Sequence, residues 1–177
     1  MKTPLHHRAR YAAGERGFTL VELLIVVAVI GILAGIAAGH MVRARMAANE
    51  ASAIGSLRAM VSGEASFSST CGQSYYSTST ADLVAGFYIS PDLLLTTKSG
   101  YALVLGPGTG INGPVDCNGR ATFNSYYYSA TPMSWFQGQR AYATNPLGTI
   151  WRDSTGVAPA EPFTVNAAIS PLAAADH

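Results

Sequence analysis

One apolar stretch near the start of the chain constrains its fold more than any other feature. From Phe18 to Gly39 the sequence holds 22 residues with a single charge, on Glu22. A helix that rises about 1.5 Å per residue would make this stretch roughly 33 Å long, enough to cross a hydrocarbon core of about 30 Å. Basic residues outnumber acidic ones before it. This excess predicts a membrane span with a cytoplasmic N-terminus and an exterior C-terminal part.

The start of the stretch carries a specific pattern. Arg16-Gly17-Phe18 is followed by Glu22 in an uninterrupted apolar helix. This pattern resembles the prepilin signal of type IV pilins and type II secretion pseudopilins. The resemblance implies that residues 1–17 are a leader, cut off after Gly17 by a prepilin peptidase/methylase that also methylates Phe18. An ordinary secretory signal peptide, cleaved near the small residues 34–38, is the alternative that the sequence leaves open.

Glu22 bears on assembly, because a carboxylate in a membrane costs about 2.5–3.5 kcal/mol and usually has a partner. The resemblance implies that it attracts the new N-terminal amine of a neighbouring subunit, which would set the register between subunits. A carboxylate that reaches interfacial water is the other interpretation.

Three glycines, Gly31, Gly35 and Gly39, recur every fourth residue of the same stretch. Such a small-residue stripe favours close helix packing. Simple tolerance of glycine in membrane helices explains it equally well.

The helical pattern continues beyond the span. Residues 40–70 lack proline, and apolar side chains recur at helical spacing, at Ile54, Leu57, Val61 and Ala65. We therefore expect one long helix: a transmembrane half over residues 18–39 and an amphipathic half over residues 40–70 that continues into a globular head.

The head is predicted over residues 71–156, with a loose C-terminal tail over residues 157–177. A short helix is indicated around residues 80–84. Strands are indicated at Tyr101–Leu105, Thr122–Ala130, Gln139–Thr144 and Thr149–Arg152. This α+β order resembles the pilin fold, in which a long N-terminal helix packs on a small antiparallel sheet.

Within the strongest strand candidate, Tyr126 and Tyr128 share one face and Tyr127 points to the other. One face is expected to be core. The other is either ordinary surface or an exposed adhesive or inter-subunit surface.

Cys71 and Cys117 both fall in the predicted exterior part, where an oxidising environment favours a disulfide. It would close a loop of roughly 47 residues and stabilise the head by about 4 kcal/mol. Two cysteines without nearby histidines make a poor metal site.

The sequence indicates no catalytic group, cofactor or metal site. Outside the leader, seven Lys/Arg oppose nine Asp/Glu, so nucleic-acid binding has no electrostatic support. The single acid in residues 145–157, Asp153, makes a calcium loop like that of major pseudopilins doubtful.

We therefore expect a structural subunit of a type IV pilus or type II secretion filament, anchored in the inner membrane with its head in the periplasm and later at the cell surface. Its partners would be copies of itself or other pilins and pseudopilins, the peptidase/methylase, the inner-membrane assembly platform and membrane lipid. The alternative is a membrane-anchored exterior binding module that does not polymerise.

Overall fold

A computed structural model of the protein describes residues 17–172. The chain divides into two compact units, residues 1–40 and residues 41–177. Apart from Gly17, the predicted leader lies outside the described residues, as do the last five residues of the predicted tail.

The principal helix, α1, runs from Leu20 to Thr70 over 51 residues. It ends where the sequence predicts, just before Cys71. In the first unit its described side chains are exposed, among them Leu23, Val27 and Ile32. This helix is long and apolar enough to cross a membrane.

In the second unit α1 buries one stripe of side chains, whose spacing alternates between four and three residues: Ala53, Leu57, Met60, Glu64 and Phe67. Such spacing keeps one face of a helix on a core. The predicted apolar face was wrong by about one position, because Val61 is half-buried and Ala65 is exposed.

The rest of the second unit is a six-stranded antiparallel sheet whose strands lie side by side in chain order. A short helix α2 (Thr80–Ala85) and a 3₁₀ turn (Pro91–Leu94) precede it. The strands are β1 (Thr97–Lys98), β2 (Tyr101–Pro107), β3 (Tyr126–Pro132), β4 (Ala141–Thr144), β5 (Trp151–Asp153) and β6 (Ile169–Pro171). The predicted α+β pilin fold, a long N-terminal helix with a small antiparallel sheet, is confirmed.

Four of these strands were predicted and two were not. β1 has only two residues, too few for a recognisable pattern, and is joined to β2 by Ser99 and Gly100. Both turn residues have positive φ, +49° and +76°, as a tight two-residue hairpin requires. β3 also begins and ends later than the predicted Thr122–Ala130.

The tail was wrongly expected to be loose throughout. Its β6 pairs with β5 at the edge of the sheet. Before that strand, Phe163 stacks on Trp151 with ring centroids 5.4 Å apart. The Tyr127 hydroxyl donates to the Pro159 carbonyl at 2.7 Å. The tail therefore covers part of the outer face of the sheet.

The tyrosine alternation of β3 is as predicted, but its outer face is not an open adhesive surface at this point. Tyr126 and Tyr128 are buried in the core, at 1% and 0% exposure. Tyr127 points outward and is half-covered by the tail. Residues 157–172 of the tail thus shield part of the Tyr127 side chain from water on the outer face of the sheet.

Candidate functional site

The start of α1 is built as a capping box. Thr19 immediately precedes the helix, and its hydroxyl accepts a hydrogen bond from the Glu22 backbone N–H at 3.2 Å. In return the Glu22 Oε2 atom accepts from the Thr19 backbone N–H at 3.0 Å and from its hydroxyl at 2.8 Å. Two backbone donors that a helix start leaves unpaired are satisfied in this way.

This arrangement gives Glu22 a partner within its own chain. The Thr-x-x-Glu signature before an apolar run was readable in the sequence, and the sequence analysis did not use it. The carboxylate also complements the positive end of the helix dipole. The box thus fixes the carboxylate of Glu22, which lies four residues after Phe18 in the sequence.

The surface around this start is apolar and open. The Phe18 side chain is 78% exposed and the Leu20 side chain equally so. A Cβ atom added at Gly31, Gly35 or Gly39 would meet no other part of the described chain within 4 Å. Among residues 17–172, no side chain packs on the glycine stripe, so its surface is open.

The predicted disulfide between Cys71 and Cys117 is present. The two Cα atoms are 4.9 Å apart, and the Cys117 N–H donates to the Cys71 carbonyl at 3.0 Å. Cys71 directly follows α1, and Cys117 lies in the loop before β3. The bond therefore ties the end of α1 to the middle of the head, as the sequence predicts.

Glu64 is a buried carboxyl group that the sequence analysis missed. Its side chain has 0% exposure, and its Oε2 atom accepts from the Ser77 N–H at 3.0 Å. The Oε1 atom is buried without a hydrogen-bond partner among residues 17–172. Burial raises the pKa of Glu64 to about 8, although the Ser77 hydrogen bond opposes the shift. The four-and-three spacing of the buried stripe was the signal that could have located it.

Two other acids of the head, Asp116 and Asp153, serve turns. Asp116 accepts from the N–H groups of Asn118 and Arg120, both at 2.8 Å. Asp153 accepts from the Thr155 N–H at 2.7 Å. Within the described part of the chain, no three His, Cys, Asp or Glu residues lie close enough to hold a metal ion.

Comparison with known proteins places the resemblance at the N-terminus. Residues 13–38 match the family described as the prokaryotic N-terminal methylation motif. A 59-residue segment is 41% identical to the type IV major pilin protein PilA of Myxococcus xanthus (strain DK1622). That segment is 33% of this chain and spans only 27% of the pilin it matches. No solved structure matches the chain significantly.

The three findings agree with one another. The motif covers the first part of α1, the matched relative is a type IV major pilin by name, and the fold is a long apolar helix followed by an antiparallel sheet. Together they support a relationship to type IV pilins and pseudopilins, for a chain that carries a methylation motif at the start of a helix long and apolar enough to cross a membrane.

Proposed function

We propose that this chain is a structural subunit of a type IV pilus or a type II secretion filament. It enters the inner membrane through residues 18–39, with its N-terminus in the cytoplasm and its head in the periplasm. The observation that carries the proposal is the exposed apolar half of α1, which starts at a methylation motif. Apolar side chains without partners in their own chain need either lipid or neighbouring helices around them.

The proposed processing removes residues 1–17 and methylates Phe18. The mature protein then consists of the membrane segment 18–39, the amphipathic segment 40–70, the head 71–156 and the tail 157–177. The peptidase/methylase and the inner-membrane assembly platform are its proposed partners before assembly. Copies of itself or other pilins and pseudopilins are its partners in the filament.

Glu22 has two tasks in this proposal. Its Oε2 atom caps α1 through Thr19. A carboxylate has two oxygens and about four acceptor positions, so the same group can also accept from the amine of a neighbouring subunit. The charge would fix the register of the incoming helix, and Gly31, Gly35 and Gly39 would allow the helices to approach closely.

Processing is tested by mass analysis of the N-terminus of the protein from its native membrane. We expect a chain that begins at Phe18 and carries a methylated amine. Gly17→Val should block cleavage, because a side chain beside the cut bond obstructs the peptidase. Gly39→Ala, a glycine change within α1 and far from the cut bond in the sequence, should leave cleavage intact. A chain that retains Met1, or one cut beyond Ala34, contradicts the proposed processing.

Assembly is tested with two substitutions of Glu22 in competition with wild-type protein. Glu22→Gln keeps an acceptor for the capping box and loses the charge, whereas Glu22→Ala loses both. If the charge recruits the neighbouring amine, both variants insert normally and both enter filaments poorly. Normal incorporation of Glu22→Gln limits the role of Glu22 to capping. Absence of any filament that contains the wild-type chain favours the non-polymerising binding module.

A further inference from the structure

The loop between β3 and β4 presents an exposed apolar cluster. Its side chains are Met133, Trp135 and Phe136, with exposures of 59%, 68% and 56%. The Trp135 and Phe136 rings stack on each other with centroids 3.5 Å apart. We call residues 133–136 the aromatic loop. Large aromatic side chains left in water on a small head require an explanation, because they are the side chains that most favour burial.

The aromatic loop is held firmly against its surroundings. The Met133 N–H donates to the Gly100 carbonyl at 3.0 Å. Just after the loop, the Gln137 carbonyl accepts from the Asn49 side-chain amide at 2.9 Å. These bonds fix both ends of the loop on rigid elements, so the exposed rings belong to a built surface.

The same bonds locate the loop in the second unit. Asn49 is on α1, eight residues after Met41, the first residue of this unit, or about 12 Å along the helix axis. Glu50 supports the position, because its Oε1 atom accepts from the Gln139 N–H at 3.1 Å. The aromatic loop therefore lies at the end of the head where α1 enters it. In the sequence, that entry follows the proposed membrane segment, which ends at Gly39.

Two basic side chains share this end of the head. Arg43 and Arg45 are exposed on α1 between Met41 and Asn49. Among residues 17–172 the ion pairs of basic side chains involve Lys98, Arg120 and Arg140, so neither of these two arginines takes part. Exposed aromatic rings and exposed arginines at one end of a domain are typical of surfaces that meet a membrane interface: the rings lie among the headgroups and the cations bind phosphate.

We propose that, before assembly, the aromatic loop rests on the outer surface of the inner membrane, with Trp135 and Phe136 among the headgroups of anionic phospholipid and Arg43 and Arg45 on the phosphates. This rests on the membrane insertion proposed above and adds a second membrane contact, made by the head. The headgroup region extends about 5–7 Å beyond the hydrocarbon core, and spanning helices tilt by about 20° on average. Headgroup thickness and helix tilt both reduce the distance that would separate the aromatic loop from the membrane surface. The occupant is lipid rather than a second copy of the chain, because the exposed charged side chains at this end of the head, Arg43 and Arg45, complement anionic headgroups, and they follow the proposed membrane segment directly in the sequence.

Tryptophan fluorescence of the full chain in vesicles tests the proposal, because the two tryptophans give a matched pair. Trp151→Phe leaves Trp135 as the reporter, and Trp135→Phe leaves Trp151, which stacks on Phe163 instead. The vesicles contain phosphatidylglycerol, with bromine atoms on the acyl chains close to the headgroups as quencher. We expect Trp135 to lose most of its fluorescence and Trp151 to keep most of it.

Flotation of the vesicles separates this proposal from the proposed function. Protein that does not float with the vesicles has not inserted, which contradicts the membrane anchor itself. Protein that floats while Trp135 is quenched by aqueous iodide and not by brominated lipid overturns the lipid contact alone. Protection of Trp135 that increases with protein density at fixed lipid composition also overturns it, since the occupant is then a second copy.

A charge test completes the experiment. With Arg43→Gln and Arg45→Gln together, or with neutral phosphatidylcholine in place of phosphatidylglycerol, quenching of Trp135 should decrease while flotation is unchanged. Equal quenching in both lipids and both proteins contradicts the assigned role of the two arginines. The intact disulfide, measured by thiol labelling after denaturation, verifies that each variant has folded.

Discussion

The two units of the chain distribute their apolar residues in opposite ways. In the first unit Leu24 and Ile36 are 59% and 61% exposed, although both lie within a regular helix. In the second unit Leu57 and Met60, on the same helix, are both 0% exposed. One helix therefore serves two environments. Its second half is stabilised by its own head, and its first half has apolar surface that no part of the chain over residues 17–172 covers.

This difference separates folding from assembly. Apolar burial contributes about 25 cal/mol per Å² removed from water, so the side chains of the second unit stabilise the isolated chain. Those of the first unit contribute only when membrane or filament surrounds them. Substitutions in the two halves should consequently change different measurements.

The largest expected effect comes from Leu57→Ala. Removing a fully buried leucine side chain should lower the free energy of unfolding of the head by about 2–5 kcal/mol. Leu24→Ala is the matched control, because its side chain is exposed and should leave head stability unchanged. Denaturant unfolding of the full chain in detergent measures both. Equal destabilisation by the two substitutions would mean that the units do not fold independently.

Removal of the disulfide should cost somewhat less. Cys71→Ser with Cys117→Ser releases a loop with a sequence separation of 46 residues, which should lower head stability by about 2–4 kcal/mol. Retention of the chain in the membrane should not change, since neither cysteine is in the first unit. Free-thiol labelling of unreduced wild-type protein from its native membrane should find no reactive cysteine. Full labelling of both would contradict an exterior location of the head.

The buried carboxyl of Glu64 should make head stability depend on pH. The folded head keeps this proton up to about pH 8, whereas the unfolded chain releases it near its ordinary pKa of 4.5. The contribution of Glu64 to the free energy of unfolding should therefore be fully present below about pH 4.5. It should fall between pH 4.5 and pH 8 by at most about 1.4 kcal/mol per pH unit, and the decrease should level off above pH 8.

Glu64→Gln should remove this slope, because glutamine keeps an acceptor for the Ser77 N–H and does not ionise. Unfolding of the wild-type chain and of Glu64→Gln, measured across the pH range, tests this expectation. A slope that survives in Glu64→Gln must arise from another group.

The smallest effect is expected at the start of α1. Thr19→Ala removes the cap and should destabilise the first helical turn by about 1 kcal/mol. Thr19→Ser keeps the hydroxyl and should restore the protection. Amide hydrogen exchange of the full chain in detergent resolves this change at Val21 to Leu23, without any change in the head. Identical exchange in all three proteins would show that membrane or detergent, and not the capping box, orders this turn.

The sequence predicted the parts of this fold that depend on long or chemically distinctive patterns. The apolar run, the end of α1 near Cys71 and the disulfide needed only composition, spacing and redox environment. The two edge strands could not be predicted, because β1 has two residues and β6 lies in a Pro- and Ala-rich tail that resembles a linker. Their pairing is decided by the neighbouring strands.

The candidate site shows the same division. Glu22 was found from its charge, while its partner Thr19 required attention to a three-residue spacing. The sequence analysis missed Glu64 because a glutamate in a helix usually lies on the protein surface. Only its position in the buried stripe of α1 indicates that it is buried. The aromatic loop could not be recognised as exposed from sequence, because Trp135 and Phe136 are equally typical of a core.

The position of the disulfide has a mechanical consequence. A pull on the two ends of the chain passes from α1 through the Cys71–Cys117 bond into β3, so the closed loop between them bears no tension along the chain. The separation of 46 residues corresponds to about 150–165 Å of extended backbone that cannot lengthen while the bond is intact. Stretching of this chain is thereby confined to the sequences outside that loop. Reduction of the disulfide would about double the length of backbone that the head can release under load, because β3–β6 (Tyr126–Pro171) is about as long as the closed loop.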